Sequence, residues 1–181
     1  MKTRHLSLGA MAFAVAFAAI AADPVTDAMT DAYGPYRAAL FRTNSKAQAE
    51  SEQTIAEARK RWQAFADRFG AKPGAPYDRD PAFAATLADV AKVYLAADNQ
   101  IRAGKLTEAH ETLEEARDLM AQLRRRNGVI TYSDHMNAYH AQMEHVLDDG
   151  GKLLAQPAGT LQLMAQVGVL EFLAQRLKSE A

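Results

Sequence analysis

The sequence contains no cysteine, and glycine is scarce, with ten among 181 residues. Without cysteine there are no disulfides, no thiolate metal ligands and no covalently attached c-type haem, which needs a C-x-x-C-H motif. Packing alone must hold the core together. The net charge of −1 also lacks the basic excess typical of nucleic-acid-binding proteins, so we expect no nucleic-acid partner.

The first 22 residues have the composition of a secretory signal peptide. Lys2 and Arg4 provide a positive start, residues 6–20 are mostly apolar, and Ala-Ile-Ala at 19–21 has the A-x-A form of a cleavage site. The apolar run is shorter than the roughly 20 residues that a spanning helix needs. We therefore predict a signal peptide over residues 1–22, although cleavage after Ala21 fits equally well.

Residues 23–181 are then expected to form the exported protein. Removing Lys2 and Arg4 without losing any acidic residue moves the net charge from −1 to near −3. No second long apolar run follows, so we expect no membrane span in this part. The signal and the lack of cysteine favour the periplasm, and the length suits a single domain.

Apolar residues along the rest of the chain recur at the steps of three and four that define one face of an α-helix. Residues 25–69 predict two helices or one long bent helix. Gly34-Pro35 should kink this region, and Ser45 with Gln48 forms a capping-box pattern. Helices are also predicted to begin at Pro81 with Asp80 as cap, to cover residues 106–126, to run from about 133 to 148, and to cover residues 160–177.

Short links between these helices indicate antiparallel neighbours. The link at Gly104-Lys105 is the clearest example. We therefore predict an all-α fold, with an antiparallel core resembling a four-helix bundle and one or two extra C-terminal helices.

The segment 133–145 carries three of the five histidines. Met136, His140 and Met143 stand at i, i+4 and i+7, so they share one helix face. Two thioethers beside an imidazole suit a soft ion such as Cu(I), or haem iron. The alternative is ordinary core packing, for which methionine is a good gap filler.

His110 and Glu114 form a second possible ligand pair at i, i+4. The alternative is a solvated charged face held by i, i+4 pairs. The Glu-x-x-His spacing of di-iron bundles is absent from these helices. The cationic run Arg124-Arg125-Arg126 is interpreted as the end of a helix, where the dipole favours positive charge.

Three short segments resemble small periplasmic b-type cytochromes of the cytochrome b-562 kind. These are Asp27-Ala28-Met29, Asn137-Ala138-Tyr139-His140 and the turn at 103–109. The resemblance implies a four-helix bundle that holds haem b non-covalently, with Met29 and His140 as ligands. When the Gly104-Lys105 turn is aligned with the family, however, Arg124 rather than His140 occupies the ligand position.

Two main functions remain open from the sequence. One is an exported bundle that binds haem b or copper for electron transfer or metal handling. The other is a non-catalytic accessory protein that interacts with a periplasmic partner and has no cofactor. An enzyme with His140 and Glu144 as general base is less favoured, because no nucleophile or oxyanion site accompanies that pair.

Overall fold

The computed structural model describes residues 23–180, and the predicted signal peptide at 1–22 lies outside this range. Within it the chain is all-helical, as the sequence predicts, and contains no strand. The helices are α1 (Pro24–Asn44), α2 (Gln48–Phe69), α3 (Phe83–Arg102), α4 (Leu106–Arg126), α5 (Tyr132–Leu154) and α6 (Gly159–Ser179), with a short 3₁₀ helix at Tyr77–Arg79.

The first helical region consists of two helices rather than one. Asp23 begins α1 by accepting a hydrogen bond from the Thr26 amide at 3.0 Å, and the helix continues unbroken through Pro35. The predicted capping box is wrong. The Ser45 hydroxyl donates to the Phe41 carbonyl at 2.9 Å, because α1 ends there, and Ala47 rather than Ser45 precedes the first turn of α2.

The first four helices form a closed ring. Helix α1 contacts α2 and α4, and α3 contacts the same two helices. The apolar residues that recur at steps of three and four along α3 and α4 are buried inside this ring, so the helical spacing identified this part of the core correctly. The buried set on these two helices comprises Phe83, Leu87, Val90, Tyr94, Ala97, Ile101, Leu106, Ala109, Leu113, Ala116, Met120 and Leu123.

Polar contacts inside this four-helix unit fix the helices relative to one another. The Trp62 indole donates to the Leu87 carbonyl at 2.9 Å, and the Tyr36 hydroxyl donates to the Leu113 carbonyl at 3.0 Å. The buried Asp98 carboxylate accepts hydrogen bonds from Arg59 on α2 and from Arg102 on α3. Each contact satisfies a buried polar group that would otherwise be costly to remove from water.

Helices α5 and α6 form a hairpin that adds little to this core. No residue of α5 is buried, and Gly159 is the one buried residue of α6. Helix α5 also extends past its expected end at 148–151 to Leu154, because Gly150 and Gly151 adopt helical geometry. None of the helices within residues 23–180 has both the length and the apolar character needed to cross a membrane.

A buried ion pair joins the hairpin to the four-helix unit. Arg124 is 3 % exposed, and its guanidinium donates to both carboxylate oxygens of Asp134, at 2.9 and 2.5 Å. Asp134 also accepts from the amide and the hydroxyl of Thr131, both at 2.9 Å, and so caps the start of α5. The cationic run does end α4, as the sequence predicts, but Arg124 is buried in this ion pair, which the run by itself did not indicate.

Replacing Asp134 with alanine should leave the Arg124 guanidinium buried without its partner. Loss of one member of a buried ion pair typically lowers the free energy of unfolding by about 3–5 kcal/mol. We expect the free energy of unfolding, measured by urea denaturation at neutral pH, to fall by about 3 kcal/mol. Asp148→Ala, which removes an exposed carboxylate from the same helix, is the control, and an equal loss in both variants would contradict the assignment.

The same pair predicts a dependence of stability on pH. Burial would raise the pKa of Asp134, but hydrogen bonds from Arg124 and Thr131 outweigh it and lower that pKa. The carboxylate therefore stabilises the fold above the pKa of an unfolded aspartate, about 3.9, and this contribution is lost as the pH falls through the lower folded pKa. The stability difference between wild type and Asp134→Asn should shrink in that acid range. A difference that stays constant from neutral pH into strong acid would count against this account.

Candidate functional site

A pocket of about 640 Å³ lies between α1, α4 and α5. One wall belongs to the four-helix unit, and the other is the N-terminal half of α5, which the Arg124–Asp134 pair holds in place. Four of the metal-ligand candidates named from the sequence line this pocket, which is therefore the candidate functional site: His110, Glu114, Met136 and His140.

His110 stands on the α4 wall in a defined orientation. Its Nδ1 lies 3.1 Å from the Leu40 carbonyl oxygen and 3.4 Å from the Thr43 hydroxyl. Because a carbonyl oxygen only accepts, Nδ1 must be the donor in this contact. In the neutral imidazole the lone pair is then on Nε2, and Nε2 lies 3.9 Å from Glu114 Oε1. This is the tautomer in which Nε2 is able to bind a metal ion.

The Glu114 carboxylate lies between Arg117, which is cationic, and His110, which is cationic when protonated. Its Oε1 lies 3.4 Å from Arg117 Nη1 as well as facing His110. Burial would lower the pKa of Arg117, but the carboxylates of Glu114 and Asp118 outweigh it and raise that pKa. The arginine therefore stays charged and holds the Glu114 carboxylate at the edge of the pocket.

The α5 wall presents a second histidine–carboxylate pair. His140 Nε2 lies 3.0 Å from Glu144 Oε1, and both side chains are about half exposed. One turn earlier, Met136 also lines the pocket and is 43 % exposed. The side-chain nitrogen of Asn137, which also lines the pocket, is buried and has no hydrogen-bond partner within residues 23–180.

Two candidates named from the sequence lie elsewhere. Met143 shares a helix face with Met136 and His140 but is not part of the pocket lining. Met29 is buried in the four-helix core at 1 % exposure. Within the described range, no three His, Cys, Asp or Glu side chains lie close enough together to hold a metal ion. The two histidine–carboxylate pairs thus face the same pocket from separate walls.

The arrangement does not fit a haem ligated by Met29 and His140. The Met29 sulfur lies 3.7 Å from Arg124 Nη1, and the same guanidinium lies over the Tyr33 ring, 5.9 Å from its centroid. His140 instead faces the open pocket. Alignment of the turn with the family places Arg124 at the family's ligand position. Arg124 is therefore the residue that contacts Met29, and its charged guanidinium occupies the space beside the Met29 sulfur. Haem ligation by Met29 and His140 remains a prediction, and the positions of these two residues do not support it.

Sequence reasoning missed the polar residues that complete the pocket. Arg37 on α1, Arg117 on α4 and Tyr132 at the start of α5 all line it. Arg117 was predictable as a partner of Glu114 from the i, i+3 spacing. Arg37 and Tyr132 were not, because their role depends on where α5 lies relative to α1.

Comparison with known proteins gives no relative: no family model, curated protein or solved structure matches this chain. The candidate site therefore rests on its own geometry.

The orientation of His110 leads to a direct spectroscopic prediction. In its neutral form, His110 should carry its proton on Nδ1, because the Leu40 carbonyl accepts it. Long-range ¹H–¹⁵N correlation spectra of the histidine side chains would report the tautomer. His135 makes no ring hydrogen bond within the described residues. It therefore serves as the reference for a histidine whose two tautomers exchange freely. A neutral His110 protonated on Nε2 would contradict the proposed ligand geometry.

Proposed function

We propose that this protein is an exported periplasmic helical bundle that binds a soft transition-metal ion, with Cu(I) as the preferred ion, in the pocket between α4 and α5. The proposal is supported above all by one observation: two ligand sets chosen independently from the sequence, His110 with Glu114 and Met136 with His140, line the same pocket.

The chemistry of this donor set favours copper over harder ions. Beside the Glu114 carboxylate, which already faces Arg117, the set has two imidazoles and one thioether, which are soft or borderline ligands, whereas Mg²⁺ and Ca²⁺ prefer sites built from oxygen alone. The Leu40 carbonyl fixes the His110 ring with Nε2 as its free ligand atom. His140, although paired with Glu144, is about half exposed and free to reorient.

Binding in this pocket requires its two walls to approach each other, since the two pairs do not form a metal site as they stand. The α5 wall is suited to such movement, because none of its residues is buried. We propose metal handling, meaning reversible capture and transfer, rather than electron transfer, because an open pocket with half-exposed ligands gives a partner access to the ion.

A second candidate function is a cofactor-free accessory protein that acts through a protein partner. The specific observation in its favour is the exposed apolar surface of the α5–α6 hairpin, on which Leu147, Leu154, Leu161 and Phe172 are each more than half exposed. The two proposals make different predictions for purified protein, since the accessory protein binds no metal.

Anaerobic Cu(I) titration against a competing chelator tests the first proposal. We expect His110→Ala and His140→Ala each to lower the affinity at least about tenfold, because each removes a donor from the set. Met136→Leu should weaken Cu(I) binding and leave Zn²⁺ binding unchanged, since a thioether favours the softer ion.

Matched controls come from the same helix. His145→Ala removes a histidine that pairs with Asp149 and Gln166 outside the pocket, and Met143→Leu removes a methionine outside the pocket lining; both should bind Cu(I) as wild type does. Equal affinity in all variants, or no micromolar binding by the wild type, would exclude the pocket as a copper site. A Soret band that appears on haem titration and is lost in Met29→Leu would favour the haem alternative instead.

A further inference from the structure

The pocket between α1, α4 and α5 is much larger than a metal ion needs. A metal ion lies about 2 Å from an imidazole ligand. The pocket volume of about 640 Å³, by contrast, would hold roughly 20 water molecules at the volume that each occupies in the liquid. It also lies within the range of about 300–1,000 Å³ that is usual for small-molecule sites. The pocket therefore has space for an organic ligand beside the side chains proposed to bind copper.

Arg37 brings a positive charge without a partner into this pocket. Its side chain is exposed, lines the pocket and forms no ion pair within residues 23–180. The two carboxylates of the lining are engaged elsewhere, since Glu114 lies 3.4 Å from Arg117 and Glu144 lies 3.0 Å from His140. The Arg37 guanidinium is therefore able to bind a ligand, and its planar fork of donors matches the two oxygens of a carboxylate.

Asn137 supplies a second donor from the α5 wall. Its side-chain nitrogen is buried and makes no hydrogen bond within the described range, and the residue lines the pocket. A buried amide nitrogen without a partner is uncommon, because nothing compensates its removal from water. An acceptor oxygen on a bound ligand would provide that compensation. Arg37 and Asn137 thus both require an acceptor, and a carboxylate offers acceptor oxygens only.

Each of the two walls also carries an exposed aromatic ring. Phe41 on α1 is 62 % exposed and Tyr132 on α5 is 46 % exposed, and both line the pocket. Phe41 follows Arg37 at i, i+4, so the ring and the guanidinium share one face of α1. An aromatic ligand would cover this apolar surface and gain ring–ring contacts in addition. Small-molecule sites combine apolar walls with a few polar groups in the same way.

The charges of the lining favour a ligand with a single negative charge. One guanidinium without a partner balances one carboxylate. A phosphate monoester carries a charge of about −1.5 to −2 at pH 7, and its additional charge would face the carboxylates of Glu114 and Glu144. We propose that this pocket binds a small aromatic carboxylate, with the carboxylate held by Arg37 and Asn137 and the aromatic body against the two exposed rings.

Calorimetric titration of the metal-free protein tests this proposal. The probes are indole-3-acetate and phenylacetate, and each is compared with its uncharged amide. We expect saturable one-to-one binding of both acids below millimolar concentration. The amides should bind at least about tenfold more weakly, because they lack the charge that the guanidinium recognises. Phenyl phosphate should also bind more weakly than phenylacetate, because of its additional charge.

Variants test the residues that hold each part of the ligand. Arg37→Gln should weaken the binding of indole-3-acetate at least about tenfold and leave the binding of its amide unchanged. Asn137→Asp, which replaces the donor with a carboxylate of the same shape, should also weaken the binding of the acid. Phe41→Ala should weaken the binding of acid and amide alike, since it removes apolar contact surface.

Arg125→Gln is the matched control. Arg125 is an exposed arginine that likewise forms no ion pair in the part of the chain described, but it lies outside the pocket lining, so this variant should bind indole-3-acetate as wild type does. These titrations contain no copper and use other variants than the Cu(I) titration, so the carboxylate site and the copper site can each fail alone. Absence of saturable binding of both acids up to millimolar concentration, equal affinity for acids and amides, or equal effects of Arg37→Gln and Arg125→Gln would overturn the proposal.

Discussion

The Arg124–Asp134 ion pair is the contact on which the arrangement of the candidate site depends. Arg124 sits at the end of the four-helix unit, and Asp134 sits in the first turn of α5. The same carboxylate that holds the guanidinium also closes the Thr131 capping box. One side chain thus begins the helix and fixes its position on the unit. Among residues 23–180 no residue of α5 is buried, so loss of this pair would weaken the attachment of the α5 wall to α4 and with it one side of the pocket.

The two parts of the molecule follow different packing rules. The four-helix unit is held by a core of large aromatic and aliphatic side chains, in which the Tyr36 hydroxyl and the Trp62 indole are hydrogen-bonded across helices. The hairpin is held by partly exposed contacts along one seam. Side chains that bind and release a ligand are expected at the boundary between a packed core and a loosely held hairpin, because a fully packed core does not deform gradually. The pocket lies at this boundary, with one wall on the buried core of the four-helix unit and the other on α5, none of whose residues is buried.

Helical periodicity predicted the core of the four-helix unit well, because residues that repeat every three to four positions must share a face. The same reasoning grouped Met136 with His140, but it was unable to say what that face contacts. Periodicity reports which side chains lie together on a helix, and the covering surface depends on how the next helices pack. Arg124 was missed for a related reason. A charged residue at a helix end has a sufficient local explanation in the helix dipole, and its burial depends on Asp134, ten residues further along the chain.

Attachment at one end makes the long helix of the hairpin a lever. His140 follows Asp134 by six residues, or about 9 Å along the axis, whereas Leu154 follows it by twenty, or about 30 Å. A rotation of about 10° around Asp134 would move the imidazole by less than about 2 Å and the far end of α5 by about 5 Å. A small closure at the ligand side chains is therefore magnified roughly threefold at the opposite end of the hairpin, where α5 turns into α6.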